Sequence, residues 1–171
     1  MNLETSRLLL RSLRTDDAPA LAALWTDPDV TRFMGGPREY QKLIAIFDQD
    51  AQVAPPPRFD LCPVIEKASG ALIGHCGLLD KEIAGALEIE LVYVFAKPVW
   101  GNGYATEIAR AIRDYAFTVL ELERIVALIE PDNRASQRVA EKIGMTHEQD
   151  VVRPNGAVRR LYVLHADKQD E

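Results

Sequence analysis

Two glycines one residue apart, Gly101 and Gly103, stand where an apolar run gives way to an amphipathic one, and that spacing suits phosphate binding. Ahead of them, residues 87–95 are rich in β-branched and aromatic side chains with partial alternation, the pattern of a strand whose ends are more polar than its middle. Behind them, Ala105, Ile108, Ala109, Ile112, Ala116 and Val119 recur every three or four positions, while Glu107, Arg110, Arg113 and Asp114 take the other side. This predicts an amphipathic helix of about four turns. A strand, a Gly-x-Gly turn and a helix in that order leave unpaired N–H groups at the positive end of the helix dipole, where an anion is stabilised. Glycine suits the turn because a side chain would hold a ligand off and would disfavour conformations with φ > 0. The alternative is that Gly101 and Gly103 only turn the chain between packed elements. A dinucleotide fingerprint would need glycine where Thr106 stands, and the Gly-Lys-Ser/Thr of a P-loop is absent.

The elements that must position this turn can be read along the chain. Residues 7–13 form a first expected strand, and Thr15-Asp16-Asp17 supplies capping oxygens for a helix through Leu21, Leu24 and Trp25 that Pro28 closes. Phe33-Met34-Gly35-Gly36-Pro37 is a loop, readable as a hydrophobic latch or as a wall of a substrate site, before a second helix over 40–50. Pro55-Pro56-Pro57 makes a stiff connector. Strands follow over 59–66 and 72–79, and their short joint at Ala68-Ser69-Gly70 implies an antiparallel hairpin, since a parallel crossover needs a dozen or more residues. With the strand over 87–95 this is a meander, which excludes a doubly wound dinucleotide domain. After the central helix, the strand over 124–130 can lie parallel to that over 87–95. Asn133 is placed to cap a helix on which Ala135, Val139 and Ile143 share a face, with Gly144 as its stop. Strands over 145–152 and 158–165, joined at Arg153-Pro154-Asn155-Gly156, complete the sheet, and a polar, frayed tail is expected from Asp167.

Composition narrows the function classes. A chain of 171 residues is the size of one domain with a sizeable core, and 47% hydrophobic with 27% charged residues is ordinary for a globular protein. Its net charge of −6 argues against nucleic acid as the main partner and weakly favours cationic small substrates. Local basic residues such as Lys97, Arg110, Arg134 and Arg138 can still meet an anionic cofactor. Cys62 and Cys76 lie in different expected strands without a metal or redox spacing, and read as reduced core thiols. His75, His147 and His165 have no partners at metal-ligand spacing, so no metal is expected. Arg7 and Arg11 bracket Leu8-Leu9-Leu10, which is neither a signal peptide nor a membrane span, so a cytoplasmic address without a membrane partner is expected.

The string Tyr93-Val94-Phe95-Ala96-Lys97-Pro98-Val99-Trp100-Gly101-Asn102-Gly103-Tyr104-Ala105-Thr106-Glu107 closely resembles the acetyl-CoA turn of the GNAT superfamily of N-acetyltransferases. It is most similar to the branch containing the ribosomal-protein N-terminal (serine/alanine) acetyltransferases, in which a tryptophan precedes Gly-x-Gly and Tyr-Ala-Thr-Glu follows. Glu4-Thr5-Ser6-Arg7-Leu8-Leu9-Leu10-Arg11 is similar to the same branch, and the segment from Asn133 to Met145 resembles the second signature helix of the family, which packs beside the pantetheine arm. The resemblance spans nearly the whole chain. It implies an α+β fold: a mixed, mostly antiparallel sheet of about six or seven strands flanked by about four helices, with a splayed parallel strand pair holding the cofactor.

The same resemblance assigns the site. Acetyl-CoA would lie with its diphosphate on the amides of Gly101, Asn102, Gly103, Tyr104, Ala105 and Thr106 beside Trp100, its acyl-pantetheine end on the backbone of Tyr93, Val94 and Phe95, and Asn133 nearby. Transfer to an amine needs removal of a proton from the amine, a donor for the carbonyl oxygen and a proton for the departing thiolate. Glu90 is the candidate base, with Glu88 as competitor on the same strand face and a solvated face as the bland alternative. Ser136 is the candidate hydrogen-bond donor to sulfur, because the tyrosine many relatives carry on the second helix is replaced by Ala140. Two further departures are Val92, where the family pattern has glycine, and Lys97-Pro98, where it often has proline followed by an acid. The implied function is transfer of acetyl from acetyl-CoA to a primary amine, a protein N-terminal α-amine first and a polyamine, amino acid or antibiotic second. A non-catalytic acyl-CoA-binding module is the competing class, and the expected assembly is a monomer or homodimer.

Overall fold

Eight strands form one sheet, and the computed structural model describes residues 1–166. In chain order the elements are β1 (Leu3–Glu4), β2 (Leu8–Leu10), α1 (Ala18–Thr26), α2 (Pro28–Thr31), α3 (Tyr40–Asp50), β3 (Leu61–Glu66), β4 (Leu72–Ile83), β5 (Ala86–Phe95), α4 (Tyr104–Thr118), β6 (Arg124–Ile129), α5 (Arg134–Lys142), β7 (Thr146–Val152) and β8 (Val158–His165). The sheet order is β1-β2-β3-β4-β5-β6-β8-β7, antiparallel throughout except for β5 beside β6. That one parallel pair is joined through α4, as the long crossover requires. The expectation for the tail from Asp167 lies outside the described residues. No helix among the described residues is long and apolar enough to cross a membrane.

The period of two along β5 sends its side chains to two different layers. Leu91 and Phe95 pack with Leu8, Leu10, Val64 and Leu78 against Ile108, Ile112 and Ala116 of α4. Val94, with Val92 beside it, faces the opposite layer, where Leu21 and Trp25 of α1 meet Leu43 and Phe47 of α3. The sheet is therefore a middle layer between two helical layers, and β5 is sandwiched on both sides. Full burial of an isoleucine such as Ile108 or Ile112 removes enough apolar area to stabilise the fold by about 1.5–3 kcal/mol each.

The structure has more strands and helices than the sequence pattern announces, for local reasons. β1 is only two residues long, pairing Leu3 with Leu10 and Glu4 with Leu9, too short for a periodic signal. β4 continues past Leu79 through Asp80-Lys81-Glu82-Ile83, a polar stretch held in place by β5. The two strands are joined by Ala84 (φ 51°) and Gly85 (φ 84°), both left-handed, as a two-residue hairpin of the I′ type demands. Pro28 opens α2 as well as following α1, because Asp27 accepts the N–H groups of Asp29 and Val30 and proline at the first helical position forfeits no bond. Cys62 and Cys76 face each other across β3 and β4, buried and free.

His75 is the one imidazole in the core among the described residues. Its Nδ1 accepts from Trp25 Nε1 at 3.1 Å, and its ring stands edge-on to Trp25 and Phe47. Burial pushes its pKa down to about 4 from 6.5, with only partial compensation from the Leu61 backbone. The native state thus binds fewer protons than the unfolded chain between those values, so this contribution is complete above pH 6.5 and is lost as pH falls toward 4. The full effect corresponds to about 3 kcal/mol. Urea midpoints measured from pH 7 to 4 should fall more steeply for the wild type than for His75→Gln; parallel slopes would contradict this account.

Candidate active site

β5 and β6 share a single register pair, Glu90↔Val126, although β5 stays in register with β4 up to Phe95 and β6 stays in register with β8 up to Ile129. Beyond Glu90 the two strands part. The opening is a cleft of about 220 Å³ lined from β5 by Glu90, Leu91, Val92 and Tyr93, from β6 by Ala127, Leu128 and Ile129, and beyond it by Glu130, Asn133 and Ser136. Trp25, Phe33, Met34 and Arg38 close its far side. Phe33-Met34 therefore does form a wall of the cleft, and Met34 also packs on the α1 and α3 layer. Another cavity of about 200 Å³, under Met1, Asp60 and Tyr115, touches none of the candidate residues.

Glu90 is 6% exposed at this opening. Its carboxylate pairs with Lys81 of β4 through Oε2, and its Oε1 accepts from the Leu128 N–H at 3.4 Å. Glu88 instead pairs with Arg124 at 3.0 Å and does not line the cleft. The two carboxylates share a strand face as alternation requires, yet only Glu90 lies where the strands diverge. Val92 sits within β5 opposite Gly77 with no break in register, so the strand runs unbulged at the position where the family pattern has glycine.

Tyr93 and Ser136 meet across the cleft. Ser136 Oγ donates to the Tyr93 oxygen at 3.0 Å, and the Tyr93 hydroxyl donates to the Ser136 carbonyl at 2.9 Å. Burial raises the Tyr93 phenol well above its ordinary value, which keeps it protonated and able to donate. The sequence offered Tyr93 only for its backbone; its hydroxyl was missed because the family places a tyrosine on α5. Here Ala140 is fully buried in the core, and the phenol that reaches α5 comes from Tyr93 on β5. Asn133 caps α5, its Oδ1 accepting the Ser136 N–H at 3.1 Å. The cap orients Ser136.

The side chains of Val94 and Phe95 are spent on the two core layers, so only their backbone remains for a ligand. Trp100 is half exposed, and its Nε1 donates to the Phe95 carbonyl at 2.7 Å, strapping the turn to the strand. Gly101 (φ 81°) and Gly103 (φ 80°) are both left-handed, and a Cβ at either would meet nothing closer than Arg7 Nη2 at 3.7 Å from Gly103. Backbone conformation rather than crowding selects glycine there. Among the described residues, no N–H from Gly101 to Thr106 finds a protein acceptor: α4's first internal bond runs from Glu107 N–H to the Gly103 carbonyl. These successive donors, backed by the start of a 15-residue helix, fit a diphosphate.

The turn is braced by the start of the chain. Glu107 accepts from Thr5 Oγ1 (2.6 Å), Ser6 Oγ (3.1 Å), the Arg7 N–H (3.0 Å) and Arg7 Nε (2.7 Å), while Arg7 Nη1 donates to the Asn102 carbonyl at 2.9 Å and its guanidinium lies 4.4 Å over the Tyr104 ring. Tyr104 in turn donates to Glu66 at 2.5 Å. Thr106 and Ala105 lie in the first turn of α4, Ala105 against the core. Of the four basic residues expected near an anion, Lys97 pairs with Asp29 at 2.6 Å, Arg110 donates to the Lys142 carbonyl and Arg134 to Gln137, while Arg138 is exposed on α5 with no ion-pair partner among the described residues. The anion site is thus built mainly of backbone.

Known proteins share this sequence pattern and fold. Residues 7–146 match the acetyltransferase (GNAT) domain family. The YkkB protein of Bacillus subtilis (strain 168) is 35% identical over 150 residues, 87% of each chain. The acetyltransferase of Agrobacterium tumefaciens str. C58 is 30% identical, with a TM-score of 0.80 over 97% of this chain and 95% of that one. The ribosomal-protein-S5-alanine acetyltransferase of Vibrio fischeri, at 17% identity, shares the fold with a TM-score of 0.76 over 100% of both chains.

Proposed function

The chain belongs to the GNAT acetyltransferase family, whose co-substrate is acetyl-CoA, and from that premise we propose that it acetylates a protein N-terminal α-amine in the cleft between β5 and β6. The observation that carries the reading is the run of acceptor-free amides from Gly101 to Thr106, one short turn after the strand that splays from its neighbour. The choice of an α-amine rests on the similarity of Glu4–Arg11 and Tyr93–Glu107 to the ribosomal-protein branch.

In this reading the amides of residues 101–106 would hold the diphosphate, and the backbone of Tyr93, Val94 and Phe95 would flank the acyl-pantetheine end. Acetyl-CoA supplies the activated acetyl group. Glu90 takes the proton from the amine, directly or through a water, and the Leu128 N–H and Lys81 hold its carboxylate in the opening. The Tyr93 hydroxyl, which here donates its one proton to the Ser136 carbonyl and accepts from Ser136 Oγ, would turn that proton from the carbonyl to the leaving sulfur as the C–S bond breaks. Holding amine and thioester together in one cleft supplies much of the rate without a covalent enzyme intermediate.

Thiol release from acetyl-CoA, followed with peptides bearing a free or a blocked N-terminus, tests the proposal. Free-amine peptides should be turned over and their blocked counterparts, even with a lysine, should not. Tyr93→Phe should bind acetyl-CoA normally and slow single-turnover transfer by about a hundredfold or more, the low end for a lost proton donor. Binding of acetyl-CoA without turnover of any amine would make the chain a binding module instead.

A further inference from the structure

The far wall of the cleft carries a charge that no carboxylate among the described residues neutralises. Four ionic side chains line the opening: Arg38, Lys81, Glu90 and Glu130. Lys81 and Glu90 pair with each other, and Glu130 lies 3.8 Å from Arg159. Arg38 has no carboxylate partner among the described residues.

The position of Arg38 is nonetheless built. Gly35 (φ 91°) and Gly36 (φ 86°) turn the chain after Met34, aided by hydrogen bonds from the Met34 and Gly36 N–H groups to the Thr31 carbonyl at 2.8 and 3.1 Å. The Arg38 N–H then donates to the Trp25 carbonyl at 3.2 Å, and its guanidinium lies 4.2 Å over the ring of the same Trp25. Trp25 is itself fixed by its bond to His75. The cation thus lies over a buried indole on the solvent-exposed side of the cleft, with its N–H groups left over. A guanidinium stacked in this way loses little further freedom on accepting a planar, two-oxygen anion.

We propose that Arg38 is an acceptor-selectivity residue that receives a carboxylate borne by the acceptor near its reacting amine. This deepens the acetyl-transfer reading and rests on it. The carboxylate has two chemical sources: the side chain of an acidic residue following the N-terminal residue of a peptide, or the α-carboxylate of a free amino acid. In either case Glu90 would face the amine and Arg38 the anion, so the ends of the acceptor are told apart by charge.

The test uses two matched pairs of acceptors with saturating acetyl-CoA: the peptide amides Ala-Asp-Gly-Gly and Ala-Asn-Gly-Gly, and free alanine against alaninamide. In at least one pair, with acceptor concentrations expressed as the deprotonated amine, the carboxylate member should have a kcat/KM about tenfold higher, through KM, the size expected for one charge-assisted bidentate contact. Discrimination in the peptide pair identifies a side-chain source, and discrimination in the small pair an α-carboxylate. Arg38→Gln should bring that ratio to within about twofold of one and Arg38→Glu should invert it. Because the ratio is taken within one protein, partial loss of folded enzyme cancels. Acetylation of all four at equal kcat/KM, or a ratio that survives Arg38→Gln, overturns the assignment of Arg38 alone; acetylation of none overturns the parent reading together with it.

Discussion

Replacing Gly103 with glutamate should weaken acetyl-CoA binding by at least about a hundredfold while the protein stays folded. Two effects act together. A side chain at φ 80° is strained by about 1–2 kcal/mol, a modest fraction of the stability of a domain. The added carboxylate would stand among the free amides of residues 101–106, taking the donors that the diphosphate needs and repelling its charge. A Cβ at Gly103 would meet only Arg7 Nη2, at an ordinary contact distance of 3.7 Å, so the fold has room for the first atom and loss of binding will not be an indirect result of collapse. Gly103→Ala separates the two effects, because it keeps the strain and omits the charge; its loss in affinity should be much the smaller. Isothermal titration calorimetry with acetyl-CoA, alongside thermal melts, measures both. Affinity for acetyl-CoA retained in Gly103→Glu would refute the amide cradle.

The second large effect is expected at Glu90. Glu90→Gln keeps the size and the hydrogen bond from Leu128 but removes the proton acceptor, and turnover at neutral pH should fall by about 10²–10⁴-fold. The deficit should narrow as pH rises, because a growing share of the acceptor amine then arrives already deprotonated. Lys81 loses its partner in this variant, yet it is 38% exposed at the side chain and can turn to water, so a moderate cost in stability is expected. A pH–rate profile parallel to that of the wild type would remove Glu90 from the role of base.

Much of this site was legible in the residues because each feature was local. The Gly-x-Gly turn, the amphipathic period of α4 and the Asn133 cap are each written within a short stretch of chain, and local patterns survive folding. What sequence could not give was pairing. Glu88 and Glu90 are equivalent by alternation, and only the point at which β6 leaves β5 distinguishes them. The Tyr93 hydroxyl and the Ser136 hydroxyl are 43 positions apart, and their contact depends on α5 crossing back over the splay. Arg38 reads in sequence as one more loop charge until Trp25 is seen beneath it. The extension of β4 through Asp80-Lys81-Glu82-Ile83 was hidden because a polar stretch gains its strand character from its neighbour.

The carboxylate of Glu107 carries an implication for anyone recombining such proteins. Segments 4–7 and 101–107 look in sequence like separable signatures, yet they behave as one mechanical part, since the same two oxygens anchor both. A chimera that imports a foreign glycine turn while keeping its own leading strand would have to match hydroxyls and a guanidinium to an acid a hundred positions away. Transplants should therefore succeed as a pair and fail singly, whatever the sequence identity elsewhere.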